Sequence, residues 1–182
     1  MSGKLRIGII GCGDFLQLRA ADLLSSRQVE VKLLYSPVNS ANAERYAEIF
    51  GAKAADSPEA IINDPEIDVV CVFVPPFVRK EYVLAAAKAG KQIVATKPLA
   101  ADLSDAREMT EAVEQAGVRC GVIYRRTNNP VIEAYKEIFS GGEFGKLALY
   151  KQDWLHHYPT WNRWATDPKK MVAHSWTLCC II

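Results

Sequence analysis

The sequence predicts an α/β protein: a doubly wound parallel sheet with helices on both faces, followed by the start of a second α/β domain. Three observations carry that reading. Short β-branched runs alternate with helical patterns of about 10–15 residues, the signature of βαβ units. A glycine turn, Gly11-Cys12-Gly13, leads from the first strand straight into the first helix. The rhythm then stops at Tyr124, where the character of the chain changes.

Taken in order, LRIGII (Leu5–Ile10) is a buried strand, and the stretch after GCGD has helical spacing. VEVKLLY (Val29–Tyr35) is the second strand, and SANAERYAEIFG the second helix, with Gly51 as its C-terminal cap. IDVVCVFV (Ile67–Val74) is continuously apolar, as expected of a strand covered on both faces. Pro75-Pro76 break it, and FVRKEYVLAAAKAG follows as a helix ending at Gly90. KQIVAT is a strand, DLSDAREMTEAVEQAG a helix with an aspartate or serine start, and VRCGVIY one more strand. Crossovers between parallel strands are almost always right-handed, which places helices on both faces. Beyond Tyr124 the pattern gives one helix near Pro130–Phe139, a Gly-Gly turn and a long alternating strand. The expected domains are therefore residues 1–124 and 125–182.

Composition narrows the function. The 182 residues carry a formal net charge of +1 with both signs interspersed, which argues against a nucleic-acid partner. No apolar run approaches the ~20 residues of a membrane span, and the apolar start is too short for a signal peptide. The five cysteines lack zinc-site spacing, and Cys12, Cys71 and Cys120 lie in or beside apolar runs, so no metal is expected and the cytoplasm is the expected compartment. His156 and His157 are adjacent on a strand pattern and point to opposite faces, which disfavours joint chelation with His174.

The glycine turn points to a dinucleotide. A pyrophosphate is held by backbone N–H groups at a helix N-terminus, where the dipole is positive. Glycines there allow the tight turn and a close approach of backbone to phosphate. Gly11, Cys12, Gly13, Asp14 and Phe15 are the candidate pyrophosphate residues; Gly8 lies within the same strand. Leu16 stands where a third glycine or alanine is expected, which suggests a wider helix–strand contact or a shifted phosphate. Cys12 inside the turn is read as a packing residue rather than a redox thiol. The ribose-binding acid expected ~20 residues further on is missing. Tyr35-Ser36-Pro37-Val38-Asn39 stands there instead, so NAD and NADP are both permitted, with Ser36 and Asn39 as hydrogen-bond donors. Ligands of such sheets bind beyond the carboxyl ends of the strands. Lys97, in ATKPLA, stands at one of those ends, its direction fixed by Pro98. An ammonium there is suited to polarising a hydroxyl or carbonyl oxygen or relaying a proton during hydride transfer.

The G-x-G turn, the strand ending VPP, AAAKAGKQIVATKPLA, Y-R-R-x-N-N-P and SGGEFGKLALY occur in the order of the glucose–fructose oxidoreductase/inositol dehydrogenase (Gfo/Idh/MocA) family, which the chain resembles from about Leu5 to at least Trp164. The resemblance implies a Rossmann domain followed by an open-sheet α/β domain that binds substrate and often makes oligomers, although an incomplete second domain argues against oligomers for this chain. It implies NAD(P)-dependent oxidation or reduction of small-molecule sugars, polyols and related diols. The family's E-K-P motif falls on Thr96-Lys97-Pro98, making Lys97 the matching catalytic or substrate-orienting lysine, with the lysine–proline bond expected in cis. Its T-P-x-x-x-H falls on Val74-Pro75-Pro76-Phe77-Val78-Arg79, which adds Pro75 to the cofactor set and puts arginine in place of histidine. Arg125-Arg126 near Asn128 read equally as phosphate or nicotinamide ligands and as solvated charges.

The family's C-terminal Gly-Gly, aspartate and histidine are absent from KKMVAHSWTLCCII. Shifting the reading frame by one base forces glycine across Met171/Val172 and aspartate across Trp176/Thr177. Permitted codons then read D-G-G-A-L-V-D-P-V-L-H-N. The expectation is that Met171 to Ile182 are out of frame and the chain is a truncated oxidoreductase, and the coding DNA tests it. The alternative is a non-catalytic nucleotide-binding fragment or regulatory protein.

Overall fold

The computed structural model describes residues 3–124, 129–143 and 145–146. The chain divides into two compact units, Met1–Ile123 and Tyr124–Ile182. The first holds six strands, β1 (Leu5–Ile10), β2 (Val29–Tyr35), β3 (Lys53–Ala54), β4 (Val69–Val72), β5 (Gln92–Thr96) and β6 (Cys120–Ile123). Its helices are α1 (Asp14–Ser25), α2 (Ser40–Phe50), α3 (Pro58–Ile62), α4 (Arg79–Lys88) and α5 (Leu103–Ala116). All pairings are parallel, in the order β3-β2-β1-β4-β5-β6. The chain winds outward one way from β1 and then, after α3, the other way from β4, so the order reverses between β1 and β4. That gap is where an open parallel sheet forms its ligand crevice.

Period-two alternation explains why both faces are covered. On β4 and its continuation, Val70, Val72 and Val74 join a core with Ile61, Val83, Ile93 and Met109 from α3, α4, β5 and α5. Val69, Cys71 and Phe73 join a second core with Leu16, Ala43, Tyr46 and Leu34 from α1, α2 and β2. Helix ends follow local chemistry. The side chains of Asn39, Ser57 and Asp102 accept backbone N–H bonds at the starts of α2, α3 and α5, and Gly51 and Gly117 close α2 and α5 in left-handed conformation.

Several boundaries differ from the sequence reading. The strand expected over Ile67–Val74 pairs only from Val69 to Val72, because the overlap with β1 begins at Ile7 and ends at Ile10. The helix expected from Phe77 begins with a 3₁₀ turn, Pro76–Val78, and turns α-helical at Arg79. Strand β6 starts at Cys120 rather than Val118. Strand β3, two residues long, and helix α3 have no counterpart in the sequence reading. At the amino edge of the sheet, Arg6 forks onto Asp68, with Nη2 at 2.8 Å from Oδ1 and Nε at 3.1 Å from Oδ2.

In the second unit, α6 (Pro130–Ser140) is capped by the side chain of Asn129, and the rings of Tyr135 and Phe139 lie 6.2 Å apart. The long strand after the Gly-Gly turn, the histidines, Arg125, Arg126 and the tail from Met171 lie outside the described residues.

Candidate cofactor cleft and active site

The sheet register brings the candidate residues to one edge. Ile10 is level with Tyr35 on β2 and Val72 on β4, and Val72 is level with Ala95 on β5. The residues that follow, Gly11 to Phe15, Ser36, Phe73 to Pro75, and Thr96 to Pro98, therefore leave the sheet at the same carboxyl end. Gly11 and Pro75 follow β1 and β4, the two strands that flank the reversal.

Gly11 has φ +109°, and a Cβ on it would lie 2.7 Å from the carbonyl carbon and oxygen of Phe73. Its N–H donates to the Tyr35 carbonyl at 2.8 Å. The turn is thus pressed against both neighbouring strands, which only glycine permits. Gly13, the N-cap of α1, is exposed, with no heavy atom within 4 Å of where a Cβ would stand. The first-turn amides of α1 lack acceptors inside the helix and face that space, a fit for a pyrophosphate. Phe15 packs edge-on against Phe73, centroids 4.9 Å apart, tying the start of α1 to the end of β4. Leu16 is fully buried beneath the helix, where it anchors α1 to the sheet.

The Cys12 Sγ–H donates to the Tyr35 carbonyl at 3.5 Å, and burial pushes the thiol up to about 12. It is a protonated packing group. Cys71, likewise buried, is also pushed up to about 12. Ser36 borders a cavity of about 150 Å³ that Tyr35, Ser40, Glu44 and Asp56 also line, and no lysine or arginine lines it among the described residues. Asn39, expected beside Ser36 as a donor, places its Oδ1 on the Ala41 N–H at 3.1 Å.

Lys97 is exposed, and the Lys97–Pro98 bond is cis, as the resemblance implies. Beneath this turn lies a group whose function the sequence did not disclose. Arg79 is 1% exposed. Its Nη1 donates to the carbonyls of Thr96 (2.5 Å), Leu99 (3.1 Å) and Pro98, and its Nη2 to the Val74 carbonyl (2.6 Å) and to Thr96 Oγ1 (2.6 Å). Its Nε has no partner among the described residues. Burial pulls the guanidinium down to about 10, far enough above neutrality that it stays a cation. Two of the departures from the family pattern, Arg79 and Thr96, are therefore bonded to each other.

Residues 5–124 match the family described as an oxidoreductase family with an NAD-binding Rossmann fold, GFO_IDH_MocA. The chain belongs to that family. An uncharacterized oxidoreductase of Streptococcus pneumoniae is 32% identical over 93% of this chain and 46% of its own length. The scyllo-inositol 2-dehydrogenase (NAD(+)) of Bacillus subtilis is 29% identical over 83% of this chain and 44% of its own. Among solved structures, a 3-ketoreductase from Actinomadura kijaniata in complex with NADP superposes with a TM-score of 0.71 at 26% identity, over 79% of this chain and 46% of that one. The chain thus spans a little under half the length of these Gfo/Idh/MocA relatives. No described helix is long and apolar enough to cross a membrane.

Proposed function

We propose that this Gfo/Idh/MocA chain is the cofactor-binding part of an NAD(P)-dependent oxidoreductase that moves a hydride between nicotinamide and a carbon bearing the hydroxyl or carbonyl of a sugar, polyol or related diol. The observation that carries it is the convergence, at the carboxyl edge beside the strand reversal, of the Gly11–Phe15 turn and the Lys97–Pro98 turn. The nicotinamide, when bound, takes up or supplies the hydride. The protein's own residues do the rest. The amides of Gly13, Asp14 and Phe15 hold the pyrophosphate, Ser36 meets the adenine-side ribose, and Pro75 forms a wall of the cleft. Lys97 donates a hydrogen bond to the substrate oxygen, whose charge rises and falls as the hydride moves.

Residues 125–182 are read as the start of the substrate and oligomerisation domain. The scyllo-inositol 2-dehydrogenase among its relatives supports a polyhydroxylated substrate. The buried thiols of Cys12 and Cys71 suit a reducing compartment such as the cytoplasm. Fluorescence titration with NADH and NADPH, followed by assays over a panel of sugars and polyols, tests this reading. Saturable binding with turnover on a polyol is expected. Binding without turnover on any of them favours a non-catalytic nucleotide-binding fragment, and absence of binding removes the proposal.

A further inference from the structure

We infer that Arg79 is a positioning residue for Lys97, tying the lysine's turn to the end of β4 so that the ammonium and the cofactor wall at Pro75 keep a fixed separation. The inference rests on the cofactor reading above for its functional meaning. It rests on geometry for its physical content.

One guanidinium bonds to the carbonyl of Val74, immediately before Pro75, and to the carbonyls of Thr96, Pro98 and Leu99, which bracket Lys97. It also holds the Thr96 hydroxyl. Fixed in-plane donors can span two strand ends in this way, whereas a lysine ammonium is a single point on a flexible stem. No carboxylate pairs with Arg79 among the described residues, so its charge is balanced by carbonyl dipoles and the Thr96 hydroxyl. A buried ion is a poor way to gain stability, because apolar side chains of similar volume often do as well or better. What the arginine provides, and an apolar residue does not, is a fixed distance between two backbone segments that carry proposed site residues. The side chain touches neither cofactor nor substrate in this scheme and acts only through Lys97 and Pro75.

The test compares the full chain with Arg79→Lys, Arg79→Met and Thr96→Val, the last chosen because it keeps the side-chain shape while removing one acceptor. The first readout needs no nucleotide: amide hydrogen exchange over residues 96–100, with β1 as the internal reference for an intact fold. The second is the rate of Lys97 acetylation by acetic anhydride, followed by mass spectrometry, with and without saturating NADH. In the wild type, NADH is expected to slow acetylation at least about 5-fold. In Arg79→Lys and Arg79→Met the protection falls below about 2-fold while the NADH Kd stays within about 3-fold, since small misplacements cost positioning far more than binding. Thr96→Val falls between. Retained charge without retained geometry in Arg79→Lys separates position from electrostatics.

Unchanged exchange at residues 96–100, or full NADH protection of Lys97 in folded Arg79→Met, overturns the inference. If Arg79→Met does not fold, Arg79→Lys and Thr96→Val decide by the same criteria. If the wild type binds no nucleotide, the cofactor reading fails, and the exchange readout still decides whether Arg79 holds the turn.

Discussion

A methyl group on Gly11 would collide with the Phe73 backbone at 2.7 Å in a φ region that side chains avoid, whereas the same methyl on Gly13 meets nothing within 4 Å. The two glycines of one turn therefore serve different ends, and their alanine variants should separate. Gly11→Ala is expected to destabilise the fold by about 1–3 kcal/mol, the cost of a strained backbone site, seen as a lower midpoint in urea. Gly13→Ala should leave the midpoint within about 0.5 kcal/mol and weaken NADH binding about 10-fold, because the added carbon fills room the phosphate needs. Next to the turn, the cavity bordered by Ser36 is also lined by Glu44 and Asp56. A 2′-phosphate there meets like charge and a 2′-hydroxyl does not. NADH is thus expected to bind about 2- to 5-fold more tightly than NADPH, the size of an exposed charge interaction, with Asp56→Asn narrowing the ratio in parallel titrations. That the glycine turn and Lys97 follow strand ends was legible in the sequence, because each lies in a recognisable motif. Arg79 was visible only as a departure from a pattern. A cation in a helix's first turn reads as a surface residue, and nothing local reveals that the chain folds four carbonyls around it.

Among the elements, the join of β1 to the start of β4 responds to pH. The Arg6 guanidinium and backbone N–H hold the Asp68 carboxyl down to about 2, below its ordinary range. The folded state therefore binds this proton less readily than the unfolded chain. The stabilisation is complete above the ordinary carboxylate range and is lost as pH falls from about 4 toward 2. Asp68→Asn should lower the thermal midpoint at neutral pH, and the gap from wild type should close across that acid window. Both groups are about a third exposed, so salt will shrink the effect. The strands and helices that the alternating pattern located are the long ones, with two buried faces or a cap at a defined end. Strand β3 escaped because two residues, both exposed, carry no periodicity; only its pairing with β2 makes it a strand.

For the whole molecule, the unit ending at Ile123 has cores on both faces of its sheet, drawn from its own helices. A chain of residues 1–124 is therefore expected to melt cooperatively and to bind NADH with a Kd within about 3-fold of the full chain, since the proposed cofactor contacts all lie within it. A non-cooperative melt, or loss of binding, would show that the second unit supplies contacts the first lacks. The order of strands was legible as a class, from alternation and handedness, but not in detail: no residue announces that the chain turns back at β4. That follows from the short edge strand and from α3 crossing beneath the sheet, a property of packing rather than of any motif.

The reversal of strand order has a consequence in time. A ribosome delivers residues 11–15 first, Ser36 soon after, then Pro75, the proposed wall, and Arg79 before the turn that it bonds. A nascent polypeptide stalled short of Lys97 has the proposed phosphate-binding turn without the proposed lysine. Since β1 lies between β2 and β4, it stays an open edge until synthesis has passed Val72, so that early interval is when a growing chain is most open to pairing with the wrong neighbour.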